Sequence, residues 1–321
     1  MDKKPLSEKY EVGLMIASLC IVAVMVIGLT IFPEQGVELS HKIMNLLTHS
    51  FGSVMQLIAL GILLFLIVLA LSKYGDIRLG KEKPEYSNMS WVAMMFFCGN
   101  GAGTVYWAFL EWGYHFNAAP QLNGAEISEA YNYEQSLAYC FYDWGPIAWA
   151  MLCVFVLPFA YHYYIKKDKE LRFSQLCKYT IGERAVKVVF GKVVDFLFIF
   201  SAIGSIAITA GTSGSTISDL IGIPNSFGLT VGVLLGVTII YTLTSMSGAA
   251  KGKKKISDAN VYACCALLLF IFIVGPTRFI WDGIVNALGM MATNFVRMTT
   301  WTDPVAATGY PQTWTVFYLI Y

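Results

Sequence analysis

Charged residues are scarce in this chain: Asp, Glu, Lys and Arg make up 13% of its 321 residues, where about 25% is usual for a soluble domain. Hydrophobic residues account for 56%, which is more apolar surface than a water-soluble fold could hide. The formal net charge is only +1, so composition gives no sign of a nucleic acid or another strongly charged partner. The shortage of charge predicts a protein that lies within a lipid bilayer.

Residues that could form a catalytic centre or a metal site are few and scattered. The chain has no Ser-His-Asp set, zinc-ligand spacing, phosphate loop or dinucleotide fingerprint. Its seven cysteines show no disulfide framework, and cysteines in apolar stretches usually serve as small buried side chains. The four histidines lie near segment ends, where solvated interfacial positions are expected. The sequence therefore predicts no enzyme, no metal site and no organic cofactor.

Long apolar runs are abundant, and they predict the architecture. A helix needs about 20 residues to cross a bilayer. Seven apolar segments are of this kind, at roughly 12–32, 51–72, 89–114, 136–165, 193–218, 227–247 and 257–276. The first is too long for the core of a signal peptide, and no small-residue cleavage site follows it. These runs predict an all-α polytopic membrane protein.

Two further segments follow the seventh span. Residues 278–300 are amphipathic and carry Arg278, Asp282 and Arg297, which favours a helix in the membrane interface rather than a span. Residues 311–321 are again apolar and are predicted to begin an eighth helix.

Positive charge is distributed unevenly over the loops. Of the 22 Lys and Arg residues, the N-terminus holds three, and the second–third, fourth–fifth and sixth–seventh loops hold four, eight and four. The other loops hold only Lys42, Arg278 and Arg297. Cytoplasmic loops carry the excess of Lys and Arg. The N-terminus is therefore predicted to be cytoplasmic, with external loops at 33–50, 115–133, 219–226 and 278–311.

Three glycines, Gly99, Gly101 and Gly103, alternate within the third segment. Each glycine weakens a helix by up to about 1 kcal/mol relative to alanine, and a bilayer tolerates a broken helix only beside a cavity or packed protein. The pattern favours an unwound hinge that borders a cavity. The alternative is a glycine face for close helix packing, for which Gly99 and Gly103 have the right spacing.

A possible substrate site follows the glycines. Trp107, Glu111 and Tyr114 share one helix face because they are spaced i, i+4 and i+7, and a carboxylate within a membrane usually marks function. Trp144 begins the fourth segment on the same external side. Tryptophan and tyrosine faces attract quaternary ammonium ions. The alternatives are an interfacial Glu111 and an ordinary aromatic belt.

The fifth segment is rich in small hydroxyl residues. Thr209, Thr212, Ser213 and Ser215 occur there between glycines. Their oxygens suit the coordination of a small hard cation. They suit close helix packing equally well, so the sequence leaves both interpretations open.

Several longer motifs accompany these residues. They are Lys73–Gly80, Lys83–Ser87 with Ser90-Trp91, Gly99–Gly103 with Tyr106-Trp107 and Glu111, Asp143–Pro146 with Trp149-Ala150, Gly248–Gly252, Val274–Thr277, Thr302–Pro304 and Trp314–Tyr318. Through them nearly the whole chain resembles the betaine/carnitine/choline transporter family. The last motif is highly specific.

The resemblance implies a single membrane domain over 1–321 with the fold of inverted five-helix repeats. Residues 1–72 would form two additional N-terminal helices, and 89–276 would form the complete first repeat. It also implies secondary transport of glycine betaine, carnitine or choline, with the substrate bound near mid-membrane between broken helices. The expected context is a homotrimer in a bacterial-type plasma membrane, with the substrate and the bilayer as partners and no nucleic acid.

Within the family, the carnitine exchanger is the branch that looks nearest. There, Tyr114 and Trp144 fall on positions that help to enclose the trimethylammonium group. Leu319-Ile320-Tyr321 stands where Trp-Ala-Trp is expected. The aromatic box is therefore altered, and Tyr321 is retained among its candidate residues.

Asn260 is a second departure, because the sodium-independent exchanger has an arginine there that replaces a coupling cation. Sodium-coupled members tend to have asparagine, which favours Na⁺ as the coupling ion, with Thr209, Thr212 and Ser213 as candidate ligands. The family pattern also implies that most of the eighth helix and helices nine to twelve are missing after Tyr321. The alternatives are therefore a sodium-independent exchanger, a non-functional fragment and, less favoured, a membrane sensor.

Overall fold

The computed structural model describes residues 12–80, 83–84, 86–99, 102–122, 128–168, 172–178, 182, 189–224, 226–246 and 249–320. Over these residues the chain forms helices and turns and no strand, which confirms the all-α prediction for that part. The helices are α1 (Val12–Ile31), α2 (Pro33–Leu71), α3 (Asn88–Gly99), α4 (Ala102–Ala118), α5 (Glu129–Asp143), α6 (Pro146–Ala160), α7 (Phe173–Leu176), α8 (Val189–Ile221), α9 (Phe227–Met246), α10 (Ala249–Val274), α11 (Thr277–Thr300) and α12 (Val316–Ile320), with π turns at Tyr161–Ile165 and Pro311–Thr315.

Four helical stretches in the described part of the chain are long and apolar enough to cross a membrane. They are Val12–Ile31, Pro33–Leu71, Glu129–Ile165 and Ile256–Val274. The other predicted spans, 89–114, 193–218 and 227–247, are helical where their backbone is described, and each includes residues or side chains outside the described set. Large apolar side chains are exposed along most of the helices, as expected where a protein surface faces lipid.

Residues 33–50, which were predicted to form an external loop, are helical. They belong to α2, a single helix of 39 residues that is about 58 Å long at 1.5 Å per residue. Pro33 starts it without strain, because the first helical position needs no amide hydrogen and proline already has a helical φ. The connection is therefore helical rather than irregular, because the polar residues after Pro33 interrupt the apolar run without interrupting the helix. Its external location stays a prediction.

The fourth segment, predicted as one span over 136–165, is broken between α5 and α6. Gly145 is extended, with φ −89° and ψ −162°, and Pro146 opens α6. Proline cannot donate the hydrogen bond that would continue α5, and its ring disfavours a helical conformation for the residue before it. The break places Trp144 in a turn between two helix ends.

Contacts divide the chain into two compact units. Unit 1 comprises Met1–Lys81, Asp143–Gly204 and Val296–Tyr321, and unit 2 comprises Glu82–Tyr142 and Ser205–Phe295. Within unit 1, α2 packs against α1, α6, α12 and the π turn that precedes α12. Within unit 2, α10 packs against α3 and α9.

A stripe of small and polar residues on α2 forms part of the core of unit 1. Thr48, Gly52, Gln56 and Ala59 are the buried residues of this helix, and their spacing places them on one face. The Gln56 side-chain amide donates a 2.8 Å hydrogen bond to the carbonyl of Trp301. A Cβ at Gly52 would lie 3.2 Å from Val316 Cγ2. Small residues therefore let α2 approach the segment around α12 closely.

The Gln56→Leu substitution should destabilise the chain by about 1–3 kcal/mol, because the partly buried Trp301 carbonyl would lose its hydrogen-bond donor. The measurement is the thermal midpoint of the detergent-solubilised protein, followed by loss of the monodisperse chromatographic peak. Gln35→Leu is the matched control, since Gln35 is exposed on the same helix. Equal midpoints for the two variants would show that the Gln56 bond contributes nothing.

In unit 2, polar residues join the start of α3 to α10. Ser87 caps α3, and its hydroxyl oxygen accepts a 3.3 Å hydrogen bond from the Ser90 amide. The Ser90 hydroxyl donates to Asp258 on α10 at 3.3 Å, and Lys254 contacts the same carboxylate oxygen at 2.8 Å. The first half of the glycine-containing third segment is thus held to α10 by a charge-assisted contact.

Candidate functional site

Trp144 is the best-defined candidate for substrate binding in unit 1. It is partly buried in the turn between α5 and α6, and its carbonyl accepts a 3.1 Å hydrogen bond from Trp149 Nε1. Its ring lies 5.7 Å from the ring of Tyr318 on α12, measured between centroids, and the two planes are inclined by 67°. The two rings therefore form a corner rather than a parallel stack.

Further aromatic rings continue from Tyr318 towards the N-terminal side of α12. Tyr318 stacks on Trp314 with a centroid distance of 6.4 Å and an angle of 15°. Trp314 stacks on Tyr310 at 6.5 Å, and Tyr310 lies 6.2 Å from Trp301. These contacts fix the orientation of Tyr318. Sequence reasoning identified the Trp314–Tyr318 motif as a family marker and missed Tyr318 as the partner of Trp144.

The loop that carries Trp301 and Tyr310 is held by a buried aspartate. Asp303 Oδ2 accepts hydrogen bonds from both the hydroxyl and the amide of Thr308, each 2.6 Å long. These bonds hold the pKa of the Asp303 carboxyl below its ordinary value, because they favour the ionised form. Asp303 is therefore ionised at neutral pH, and the loop keeps its shape there.

The second group of candidates lies on α4 in unit 2. The rings of Trp107 and Tyr114 contact each other edge to face, with centroids 5.8 Å apart, as their predicted common face requires. Glu111 is only 3% exposed. Its Oε1 lies 3.9 Å from Nε2 of His115, and the His115 ring stacks on Tyr139. The expectation of solvated interfacial histidines is wrong for His115 and for His162, which are both buried. The i+4 spacing of His115 from Glu111 was the signal that the sequence offered.

Polar side chains on α5 fix the end of α4. Asn132 Nδ2 donates a 2.6 Å hydrogen bond to the Phe116 carbonyl, and Gln135 Nε2 donates to Asn132 Oδ1 at 2.9 Å. The Tyr139 hydroxyl donates to the Pro120 carbonyl at 3.2 Å. Asn132 and Tyr139 thus bond the last turn of α4 and the connection that follows it, and Gln135 holds Asn132 in place. Their i, i+3 and i+7 spacing places them on one helix face, and this pattern could have indicated the cluster from the sequence.

The remaining candidates are placed only partly. Gly99 ends α3 and Gly103 belongs to α4, while Gly101 lies outside the described residues, so the hinge stays a prediction. Ser213 is partly buried on α8 and Asn260 is exposed on α10. The side chains of Thr209 and Thr212, and all of Tyr321, lie outside what the structure describes. The cation-coupling site is therefore still a prediction.

A match to a family model shows which protein family the chain belongs to. The model described as BCCT, betaine/carnitine/choline family transporter, matches residues 13–321. The chain belongs to the betaine/carnitine/choline transporter family. The resemblance drawn from its motifs is confirmed, and the apolar helices agree with the membrane location of this family.

Two relatives in this family show what share of a relative's length the chain covers. The chain is 34% identical over 312 residues to the "Carnitine transporter" of Acinetobacter baumannii (strain ATCC 19606), which is 96% of this chain and 56% of that protein. It is 37% identical over 271 residues to the "Uncharacterized transporter YeaV" of Escherichia coli (strain K12), which is 83% of this chain and 55% of that protein. The chain thus spans about half the length of the curated relatives that it matches.

Proposed function

We propose that this chain belongs to a secondary transporter that moves quaternary ammonium compounds, such as glycine betaine, carnitine or choline, across a bacterial plasma membrane. The observation that carries the proposal is the corner formed by the rings of Trp144 and Tyr318. Tyr114 and Trp107 supply a second pair of rings on α4. The chain spans about half the length of its relatives. Transport by the whole protein is therefore part of the proposal.

Aromatic rings suit this class of substrate for a physical reason. A quaternary nitrogen carries a charge but has no hydrogen to donate, so polar side chains cannot bind it by hydrogen bonds. The electron-rich ring face attracts the charge, and the interaction is worth about 0.5–2 kcal/mol per ring depending on desolvation. Trp144 and Tyr318 are both partly or fully buried, which favours the upper part of this range.

The name of one relative points to the same class. The Acinetobacter baumannii protein is called a carnitine transporter, and carnitine carries a trimethylammonium group. That likeness extends over 96% of this chain and includes the part that contains Trp144. It supports the substrate class and leaves the particular compound to experiment.

Coupling to sodium is part of the proposal. Asn260 is neutral and exposed on α10, so it supplies no fixed positive charge in place of a cation. Ser213 on α8, with Thr209 one turn before it and Thr212 next to it in the sequence, would supply hydroxyl oxygens, which hard cations prefer. The alternative is a sodium-independent exchanger in which a basic residue elsewhere takes the place of the cation.

The membrane arrangement is also proposed. The uneven distribution of Lys and Arg favours a cytoplasmic N-terminus, and family membership suggests inverted five-helix repeats and a homotrimer. The break between α5 and α6 at Gly145 and Pro146 supports the idea of a substrate site between broken helices.

Deletion of the native gene provides the test. We expect the deletion strain to lose uptake of at least one of three radiolabelled compounds, glycine betaine, carnitine and choline, and the restored gene to recover it. An excess of 3,3-dimethyl-1-butanol, the uncharged isostere of choline, should not compete. If the deletion changes the uptake of none of the three, and the purified protein binds none of them, the proposed function is wrong.

A further inference from the structure

The loop that leads from α11 to the π turn before α12 has a backbone conformation that most residues avoid. We call residues 301–310 the aspartate loop. Asp303, Ala307 and Gly309 have positive φ values of 50°, 50° and 78°. Glycine adopts this left-handed region freely, but a residue with a Cβ does so at a cost in free energy. Interactions within the loop must therefore offset this cost at Asp303 and Ala307.

The compensating contacts converge on Asp303. Its side chain is buried, and its Oδ2 accepts 2.6 Å hydrogen bonds from the amide and the hydroxyl of Thr308. Its carbonyl accepts a 3.2 Å hydrogen bond from the Ala307 amide. Hydrogen bonds to an ionised acceptor are stronger than those between neutral groups, and they lower the pKa of the Asp303 carboxyl. The negative charge of Asp303 therefore closes the loop.

Thr308 passes this constraint on to Tyr310. Its hydroxyl donates to Asp303 and also accepts a 3.3 Å hydrogen bond from the Tyr310 amide, since a hydroxyl has one hydrogen and two lone pairs. From the other end of the loop, the ring of Trp301 contacts the ring of Tyr310, and the Trp301 carbonyl is bonded to Gln56. Tyr310 is therefore held through both its backbone and its ring.

Three rings carry the constraint along the π turn and α12. They belong to Tyr310, Trp314 and Tyr318, and we call them the aromatic row. Side chains spaced by four residues lie on one helix face, and the neighbouring planes of the row are inclined by only 29° and 15°. The row ends where Tyr318 meets Trp144 at an angle of 67°. Close-packed side chains transmit a shift from one to the next, because they have little space to move independently.

From these contacts we infer that Asp303 is a positioning residue for the corner formed by Trp144 and Tyr318. Through Thr308 it fixes Tyr310, and through the aromatic row it sets the angle at which Tyr318 faces Trp144. A cation is attracted by the face of a ring and not by its edge, so the aspartate loop determines the affinity for a trimethylammonium group. The inference rests on the proposed function for the ligand, whereas the effect on ring geometry is measured without one.

A purely local role for the loop is the competing interpretation. The contact between Asp303 and Thr308 would then stabilise the loop alone. Its loss would alter the surroundings of Trp301, inside the loop, and would leave those of Trp144 unchanged. The two interpretations differ at the far end of the aromatic row, so the measurement is made at Trp144.

Fluorine NMR of the purified product of the native gene, labelled with 5-fluorotryptophan, provides this measurement. The resonances of Trp144 and Trp301 are assigned by changing each tryptophan to phenylalanine. We expect Thr308→Val, which removes the hydroxyl at similar side-chain size, to shift both resonances by more than their linewidth. Thr308→Ser keeps the hydroxyl and should leave both in place. Thr313→Val is the matched control, because Thr313 is exposed on the π turn, and it should leave Trp144 unshifted.

Two further variants test the charge and the route. Asp303→Asn should shift the same two resonances as Thr308→Val, because a neutral amide oxygen is a weaker acceptor than a carboxylate. Tyr318→Leu removes the last ring of the row. In this background Thr308→Val should still shift Trp301 and should no longer shift Trp144, because the effects of residues that act through one another are not additive.

Affinity is the functional readout. The Kd values for radiolabelled choline, glycine betaine and carnitine are measured by equilibrium binding. For each compound that the wild type binds, Thr308→Val should raise the Kd several-fold, and by less than the roughly 30-fold expected for the loss of a whole ring. Thr308→Ser should have the wild-type Kd. A local structural role would lower the thermal midpoint of Thr308→Val and leave its Kd unchanged.

The possible results separate the inference from the proposed function. A Trp144 resonance that stays in place in both Thr308→Val and Asp303→Asn would overturn the inference. An unchanged Kd in Thr308→Val, where the wild type binds one of the three compounds, would overturn it too. If the wild type binds none of them, the proposed function fails, and the Trp144 resonance alone decides whether Asp303 positions the corner.

Discussion

Replacing sodium with potassium should abolish substrate uptake by the product of the native gene, and Asn260→Arg should make uptake independent of sodium. The physical reason is that a guanidinium is always charged and cannot leave, so it would occupy a cation site permanently. Asparagine leaves such a site to a free cation. A bound cation favours one conformation only by as much as it binds that conformation more tightly, so loss of sodium removes this bias.

The measurement is uptake into liposomes with sodium exchanged for potassium, followed by uptake under an imposed pH gradient. Asn260→Gln is the matched control: it changes the side chain without adding charge and should remain sodium-dependent. Undiminished counterflow without sodium at constant pH would support the exchanger instead. Uptake driven by the pH gradient would point to a buried carboxylate, and Glu111 and Asp143 would each be tested by amide substitution.

The second large effect is expected at Trp144. Trp144→Ala should weaken binding of a trimethylammonium substrate by about 2- to 30-fold, which corresponds to the loss of about 0.5–2 kcal/mol of cation–π attraction. Trp144→Phe keeps a ring at this position, although phenylalanine attracts a cation less strongly than tryptophan, and it should retain most of the affinity. The Kd is measured by equilibrium binding to the purified protein.

Trp91→Ala serves as the control for this experiment, because Trp91 is 55% exposed on α3 and has no assigned role in binding. An unchanged Kd in Trp144→Ala would exclude Trp144 from the site. A fall in the amount of protein in the membrane with an unchanged Kd would show that Trp144 only anchors the break between α5 and α6.

Helices were the most predictable part of this fold, because apolar run length is a strong local signal. The limits of that signal explain the errors. Residues 33–50 were assigned to a loop because polarity was taken as the end of a helix, yet no residue after Pro33 in this range stops helical hydrogen bonding. The break at Gly145-Pro146 was contained in the sequence, but the surrounding apolar residues concealed it.

The candidate site could be predicted only where its residues are close in sequence. The Trp107–Tyr114 contact follows from helical spacing alone, and His115 could have been found by the same rule. The pairing of Trp144 with Tyr318 could not be predicted, because no periodicity in the sequence relates residues on α12 to a turn after α5. Such a contact depends on how distant helices pack against each other, and no local pattern in a single sequence predicts that packing.

The Gln56–Trp301 hydrogen bond also has a consequence for the timing of biogenesis. Its two residues are 245 positions apart, and a ribosome adds roughly 5–20 residues per second. The side-chain amide of Gln56 therefore waits roughly 12–50 seconds, after its own synthesis, before the carbonyl that will accept its hydrogen bond exists. During that interval α2 is a newly made helix with a polar side chain in its apolar part, so it must rely on water, lipid headgroups or the insertion machinery until synthesis passes residue 301.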